Sequence, residues 1–534
     1  MSRDRLTLYD TTLRDGAQTS GVDFSVEDKR AIAAALDELG IDYIEGGWPG
    51  ANPTDTVFFA AKPDLKHANF TAFGMTRRVG RSVANDPGLA AILNAQSDAC
   101  CLVGKAWDFH VDVALGVERS ENVISIHESI TAIVHKGREA LFDAEHFFDG
   151  YKSNPPYALE CIKAAHDAGA RWIVLCDTNG GSMPEEVERI VREATNTVPG
   201  AKLGIHAHND TEQAVAVSLA AVRGGARQIQ GTLNGLGERC GNANLVSLIP
   251  TLLLKPGYAE KFDTGIGLEK LKTLSRVSHL LDEILNRAPN RHAPYVGESA
   301  FAHKGGLHVS AVQKDPRTYE HVAPELTGNR RRILVSDQAG RSNVIARLHE
   351  AGIPFRDDDP KLQRLLDEVK EREFLGYSYD GAEASFELLA RRVLGAVPEF
   401  FSVDSFRVAV EQKHDATGAL RTVSEATVKL RIGGETMINT AEGHGPVDSL
   451  DAALRKDLGA LGVYLADLQL VDFKVRILTS GTGAITRVLV ESRDGAGVRW
   501  FTVGVSENII EASFEALRDS VIYKLLRDKA PLPK

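Results

Sequence analysis

Cysteine is scarce in this 534-residue chain, which has five: Cys100, Cys101, Cys161, Cys176 and Cys240. The count is odd, no two form a C-x-x-C pair, and all lie in the first half. That excludes a disulfide framework and a zinc–thiolate knuckle, and leaves the thiols as small buried hydrophobes. Long apolar runs are missing too. Nothing approaches the roughly 18 consecutive apolar residues of a membrane-spanning helix, and the opening MSRDRLTLYD has no apolar signal core, so a cytoplasmic location is expected. Positive charge is in deficit, with 62 Lys and Arg against 73 Asp and Glu and a net charge of −11. The balance disfavours nonspecific binding to nucleic acid or to a membrane surface, while leaving room for a local basic pocket. Neither is the chain short of core-forming residues: 43% are hydrophobic and 25% charged, which excludes a mainly disordered polymer. At about 150 residues per domain the length fits three or four domains, or one large barrel with additions.

What is present is a repeated theme. Through about residue 265, short apolar strands end in polar, Gly-rich residues and are followed by Ala-rich helices. LTLYD, DYIEGG, ANFTAFG, DACCLVG, ALFDAEHF, RWIVLCD, KLGIHAHND and RQIQG make eight such strands. Eight strand–helix units in this length predict an α/β chain with a TIM (β/α)8 barrel over 1–265. A doubly wound open sheet is the alternative, and its G-x-G-x-x-G fingerprint is absent after the first strand. Residues 266–395 read as a helical connector. From 396 to 534 alternating strands return (FSVDSFRVAVEQ, EATVKLRIGG, DFKVRILTS, AITRVLVES, VRWFTVGVS), punctuated by two helices. This predicts a C-terminal α+β module built as two βββα repeats.

Chemistry is expected at the strand ends. His206 and His208 stand two apart at the end of a strand, so they share a face at the C-terminal mouth, where barrel enzymes place their reactive groups. Two imidazoles with a carboxylate suit a divalent metal, and two packed or surface histidines are the plain alternative. The carboxylate could come from Asp10, Asp15, Glu45 or Asp177, some of which would instead be caps or turn formers. Asn242 is a candidate oxygen ligand or a loop amide. Arg14 could polarise a carbonyl or grip a carboxylate. Gly235, Gly237 and Gly241 could let backbone N–H groups approach an anion. His303, His308 and Tyr319 lie beyond the barrel and could supply acid–base groups from a lid or a neighbouring subunit. Arg330 to Arg332 form a basic run, read as a solvated patch or an anion site.

Together these segments resemble a known family, the metal-dependent Claisen-type acyltransferases and lyases on a TIM barrel, which includes the 2-isopropylmalate, homocitrate and citramalate synthases. The resemblance rests on DTTLRDGAQ (10–18), HAHND (206–210), NGLGERCGNAN (234–244), GLHVSA (306–311) and the duplicated C-terminal module. It is closest to the long-chain citramalate synthase branch. It implies acetyl-CoA as co-substrate, pyruvate as the 2-oxo acid, and a divalent metal (Mn, Mg, Zn or Co) on Asp15, His206, His208 and Asn242. Arg14, Gln18 and Thr178 would bind the 2-oxo acid, with Arg14 polarising its carbonyl. Glu145 would activate acetyl-CoA, with Asp143 and Asp149 as nearby alternatives. Asn234, Gly235, Gly237 and Glu238 would contact the coenzyme. His308 and Tyr319 would be acid–base residues presented to a partner subunit's barrel. The C-terminal module resembles a regulatory dimerisation domain, implying a homodimer and an amino-acid effector, isoleucine. The same resemblance admits a 2-isopropylmalate or homocitrate synthase and, more distantly, a carbon–carbon lyase.

Overall fold

The computed structural model describes residues 3–533 apart from 337, 357, 396, 415–417 and 482. Residue 396, where the sequence pattern begins the C-terminal module, is thus outside the described residues. Eight parallel strands close into a barrel: β1 (Thr7–Asp10), β2 (Tyr43–Gly47), β3 (Asn69–Met75), β4 (Ala99–Lys105), β5 (Glu139–Glu145), β6 (Trp172–Asp177), β7 (Leu203–Ala207) and β8 (Gln228–Gly231). These are the eight strands read from the sequence, and the open-sheet alternative falls with the pairing of β1 to both β2 and β8.

The helices start where side-chain chemistry tells them to. Helix α1 (Val26–Leu39) opens on a capping box between Ser25 and Asp28 and stops at Gly40, which is left-handed at φ 101°. Helices beginning at Pro53, Pro87 and Pro155 each carry the proline in the first turn, behind Asn52, Asp86 and Asn154, whose side chains cap the free N–H groups.

Strand alternation sorts the barrel side chains. Leu8, Ile44, Phe142, Ile173 and Ile205 face the helices in one core. Tyr9, Tyr43, Phe73, Cys101, Leu141, Trp172, Val174 and Cys176 fill the barrel interior. Two residues further along the same inward-facing rows the side chains turn polar: Glu45 after Tyr43 and Asp143 after Leu141, with His206 and Gln230 on neighbouring strands. The interior thus changes from apolar to ionisable on approach to the C-terminal mouth.

The chain forms two compact units, 1–301 with 322–330, and 302–321 with 331–534. The first extends past the barrel because Leu274, Val277 and Leu281 of the helix Leu274–Ile284 are buried in the barrel's outer core. In the second, helix α2 (Gly306–Lys314) precedes two antiparallel sheets. One comprises β9 (Ser402–His414), β10 (Leu420–Ile432) and β11 (Glu435–Gly443), followed by α3 (Pro446–Arg455). The other comprises β12 (Gln469–Ile477), β13 (Thr486–Arg493) and β14 (Arg499–Ser506), followed by α4 (Ile509–Arg527). The βββα duplication is therefore real, and β11 completes the first repeat. No helix among the described residues is long and apolar enough to cross a membrane.

Candidate active site at the barrel mouth

The turn after β1 is built by Asp10, which is fully buried and accepts from the Thr12 backbone N–H and hydroxyl, both at 2.8 Å. Burial pushes its carboxyl up to about 7 despite those donors. Asp177 plays the same part after β6, accepting from Ser182 N and Oγ. Glu45 accepts from Tyr9 Oη and Thr11 Oγ1, each at 2.6 Å, and from Arg14 Nε at 2.7 Å. Of the four carboxylates the sequence left open, these three are turn formers or anchors, and Asp15 is the one that meets the histidines.

Asp15, His206 and His208 bring one ligand atom each within 4.8 Å of the others, all buried. His206 Nε2 lies 3.1 Å from Asp15 Oδ2 and 3.2 Å from His208 Nε2. Asn242 closes the group, its Nδ2 2.7 Å from Asp15 Oδ2 and 3.5 Å from His206 Nε2. The tautomer of His206 is set from behind. Gln230 donates Nε2 to Asp143 Oδ1 at 3.0 Å, so its Oε1, 2.9 Å from His206 Nδ1, accepts the ring N–H there. That leaves the Nε2 lone pair aimed into the cluster, as in metal-bound imidazoles whose other ring N–H is held by an acceptor behind them. Burial and then His206 take His208 down to about 3, which keeps its ring neutral. Burial works to raise the Asp15 carboxyl, but Arg14 and His206 overcome it and hold it well below the usual carboxylate range.

This donor set fits a divalent cation. Two neutral-capable imidazole nitrogens and an ionised carboxylate converge, while the buried Asn242 Oδ1 and His208 Nδ1 have no hydrogen-bond partner among the described residues. Arg14 borders it, with Nη1 3.2 Å from Asp15 Oδ1 and its guanidinium 3.8 Å from the Phe73 ring centroid.

The β8 loop supports Asn242 rather than cradling an anion. The N–H of Gly235 donates to Thr232 O, that of Gly237 to Thr19 Oγ1, and that of Gly241 to Glu238 O. The anion cradle expected from these glycines is therefore not formed, because all three donors are already spent, two within the loop and that of Gly237 on Thr19. Gly241 is required for close approach: at φ 89°, a Cβ there would sit 2.0 Å from Gly235 O. Asn234 is likewise committed, with Nδ2 donating to Ser278 O and Oδ1 accepting from Ser278 Oγ. Glu238 is exposed beside it. Gln18 is exposed on the rim and lines, with Arg14 and Trp48, a cavity of about 370 Å³.

Glu145, at the end of β5, pairs with Lys105 at the end of β4. It also lies beside His110 and His146, which sequence reading did not single out. Thr178 follows β6; its hydroxyl accepts from His146 N at 2.8 Å, and its carbonyl accepts from Arg239, which is itself clamped to Asp210. His308 and Tyr319 belong to the second unit, their rings packed with centroids 4.2 Å apart and planes tilted by 31°. Beneath them in sequence, buried Glu320 accepts from His303 Nε2 and Arg331 Nε. Gln230 was also missed as a supporting residue, and Asp143, named from the sequence only as an alternative to Glu145, instead accepts from Gln230. The signal for Gln230 was available, since it sits in an inward-facing position on the strand next to His206.

Family models match three stretches: HMGL-like over residues 5–277, the homocitrate synthase post-HMGL domain-like over 295–373, and the LeuA allosteric (dimerisation) domain over 380–525. The (R)-citramalate synthase of Aquifex aeolicus is 51% identical over 530 residues, covering 98% of this chain and 99% of the relative. That of Geobacter sulfurreducens is 51% identical, covering 97% of each. A probable 2-isopropylmalate synthase of Methanopyrus kandleri, covering 96% of this chain and 97% of its own length, is 34% identical.

Proposed function

The chain belongs to the HMGL-like family and, within it, to the (R)-citramalate synthases, and from that premise we propose that it condenses acetyl-CoA with pyruvate, hydrolysing the thioester to give citramalate and CoA. The observation that carries the reading is the convergence of Asp15, His206 and His208 beside Arg14 at the barrel mouth. The difference between 51% and 34% identity disfavours a 2-isopropylmalate synthase.

A divalent cation (Mn, Mg, Zn or Co) held by Asp15, His206, His208 and Asn242 supplies Lewis-acid charge at a 2-oxo acid carbonyl. Arg14 has the charge and position to steady the oxygen of that carbonyl as it becomes an alkoxide. Its Nε and Nη1 are held by Glu45 and Asp15, which fixes the plane of the guanidinium. The Thr178 hydroxyl, accepting from His146 N, keeps its own proton to donate to the substrate carboxylate, and Gln18 lies on the approach. Glu145 takes a proton from the acetyl methyl group, its carboxylate held in position by the ion pair with Lys105. His308 and Tyr319 serve as acid–base residues for the barrel of a partner subunit. Of the coenzyme contacts read from the β8 loop, Asn234, Gly235, Gly237 and Glu238, the exposed Glu238 is the one left open to the ligand, since the Gly235 and Gly237 carbonyls accept from Asn242 N and Thr19 Oγ1 and their N–H groups are also spent.

The functional division follows residues 1–265 for chemistry, 266–395 for the connector and 396–534 for regulation and dimerisation. In the last, edge strands carry the inward-facing rows past their helices, leaving Val410 55% and Ile477 67% exposed. Such apolar strips support a homodimer, and the match to the LeuA allosteric domain supports an allosteric ligand there, for which isoleucine is our proposed effector. The five unpaired cysteines, four of them buried, fit a reducing, cytoplasmic setting.

The test is CoA release with acetyl-CoA and a divalent metal, offering pyruvate, 2-oxoisovalerate and 2-oxoglutarate in parallel, with and without isoleucine or leucine. Release with pyruvate alone, damped by isoleucine, supports the whole reading. Preference for 2-oxoisovalerate with leucine inhibition would move the chain to 2-isopropylmalate synthesis, and no release with any acceptor would sink the transferase.

A further inference from the structure

The hydrolytic half of this reaction needs a base for water, and none of the residues above has been given that task. His146 is the first residue after β5 and stands just before the helix Phe147–Ser153, with φ 56° and ψ 32°. Left-handed backbone is uncommon for a non-glycine residue and concentrates at functional sites. Here it is held in place by the His146 N–H bond to Thr178 Oγ1 at 2.8 Å. The ring is buried, and its Nδ1 lies 3.2 Å from Asp149 Oδ2. Asp149 also accepts from Asn179 Nδ2 at 2.9 Å. Burial works to raise the Asp149 carboxyl, but His146 and Lys152 outweigh it and keep it ionised. An ionised carboxylate only accepts, so Nδ1 carries the proton and Nε2 keeps its lone pair. This is the carboxylate–imidazole geometry that orients a general base. The His110 ring packs 4.2 Å away, and Trp107 lies over both rings at 5.4 and 5.6 Å. Lys105 and Glu145 complete the charged surroundings.

We propose that His146, oriented by Asp149, is the general base that activates water to cleave the thioester formed by condensation. The proposal rests on the citramalate synthase reading. Its placement follows from its neighbours. Thr178, whose hydroxyl touches the His146 backbone, is the residue given to the substrate carboxylate, and Glu145, given to the acetyl methyl group, is next in sequence. His146 Nε2 takes a proton from water as the water oxygen bonds to the thioester carbonyl carbon. Collapse of the tetrahedral adduct breaks the carbon–sulfur bond, and the departing thiolate recovers the proton from Nε2. The products are the carboxylic acid and the CoA thiol, with His146 neutral again.

His146→Asn tests this, because asparagine tolerates the left-handed backbone and lacks the base. The full-length metal-loaded enzyme, wild type and variant, is mixed with acetyl-CoA and pyruvate and quenched, and both free thiol and acyl-CoA species are measured by mass. The expected result is that the condensed acyl-CoA accumulates while thiol release falls by about 10²–10⁴-fold. Asp149→Asn should give the same accumulation with a smaller fall, and decides the matter alone if His146→Asn does not fold. Thiol release within about threefold of wild type, or loss of adduct and thiol together, would overturn the assignment. So would a divalent-metal content that drops with His146→Asn, since His110, Glu145 and His146 would then be a cation site. A wild type that forms neither adduct nor thiol from pyruvate overturns the parent reading as well; an active wild type with an unaffected variant overturns this one alone.

Discussion

Replacing Lys29 with methionine should damage both the stability of the barrel and the rate of its reaction. Lys29 lies on α1 with 3% of its surface exposed, and its ammonium donates to Leu13 O at 2.8 Å, to Gly46 O at 2.9 Å and to Asp55 Oδ1. Asp55 also accepts from the Trp48 N–H and from Asn52 Nδ2. Methionine keeps most of the stem's packing and removes every one of these donors. Two carbonyls lose their partner, at about 1–3 kcal/mol for each unsatisfied group. A buried carboxylate loses its counter-ion, which by itself costs about 3–5 kcal/mol. These costs overlap, because Asp55 keeps two donors and the loops can relax, so a total of about 3–5 kcal/mol is expected. For a barrel of this size that is a fall of roughly 6–20 °C in the midpoint of thermal unfolding, readable by circular dichroism. The kinetic effect has a separate origin. Leu13 precedes Arg14, and Gly46 follows Glu45, so one ammonium ties together the two backbone segments that set the Arg14–Glu45 pair. kcat should fall by more than tenfold at temperatures where the variant is still folded. Adding Asp55→Asn should restore part of the stability by removing the stranded charge, while leaving kcat low. A single variant within about 1 kcal/mol of wild type and fully active would refute the reasoning.

Asp15→Ala and His206→Ala should each abolish turnover and bound metal, and a chelator-treated Asp15→Ala protein with wild-type activity would end the metal assignment. Gln230→Leu frees the His206 tautomer and should weaken metal affinity by about 10–100-fold, measured by competition with a chelator. Asp10 supplies a pH test. Its folded carboxyl titrates at about 7, well above an unfolded aspartate, so between about pH 4 and 7 the native state holds the extra proton and stability falls as pH rises. Asp10→Asn removes that loss, and its unfolding free energy in urea should gain on wild type by about 3 kcal/mol between pH 4.5 and 7.5. An unchanged difference across that range would mean Asp10 is ionised throughout.

The barrel was legible because each of its strands is a short apolar run with an abrupt polar end, a pattern that a strand buried on both faces requires. Strand β11 was not, because ETMINTAEG offers only Met437 and Ala441 to the helix side, with Asn439 between them, and its one other large apolar residue, Ile438, is exposed. At the mouth, His206 and His208 could be read from residue type and position at a strand end, whereas Asp15 was singled out from four acidic candidates only by the family resemblance. The separate duties of Asp10, Asp177 and Glu45 could not, because all three are acidic residues at strand ends and only their partners tell them apart. The expected use of Gly235 and Gly237 failed for a related reason: glycine marks a tight loop, and does not say whether its N–H groups face inward or outward. His146 was invisible because its left-handed backbone and its bond to Thr178 arise from packing between loops distant in sequence.

The division of the chain into two units carries a topological consequence. The backbone leaves the first unit after Phe301, re-enters it at Val322 and leaves again after Arg330. The units are thus stitched by three covalent crossings, and no single cut between them lets them drift apart. The stretch carrying His308 and Tyr319 is an excursion from the barrel unit, tethered to it at both ends while belonging to the other unit's fold.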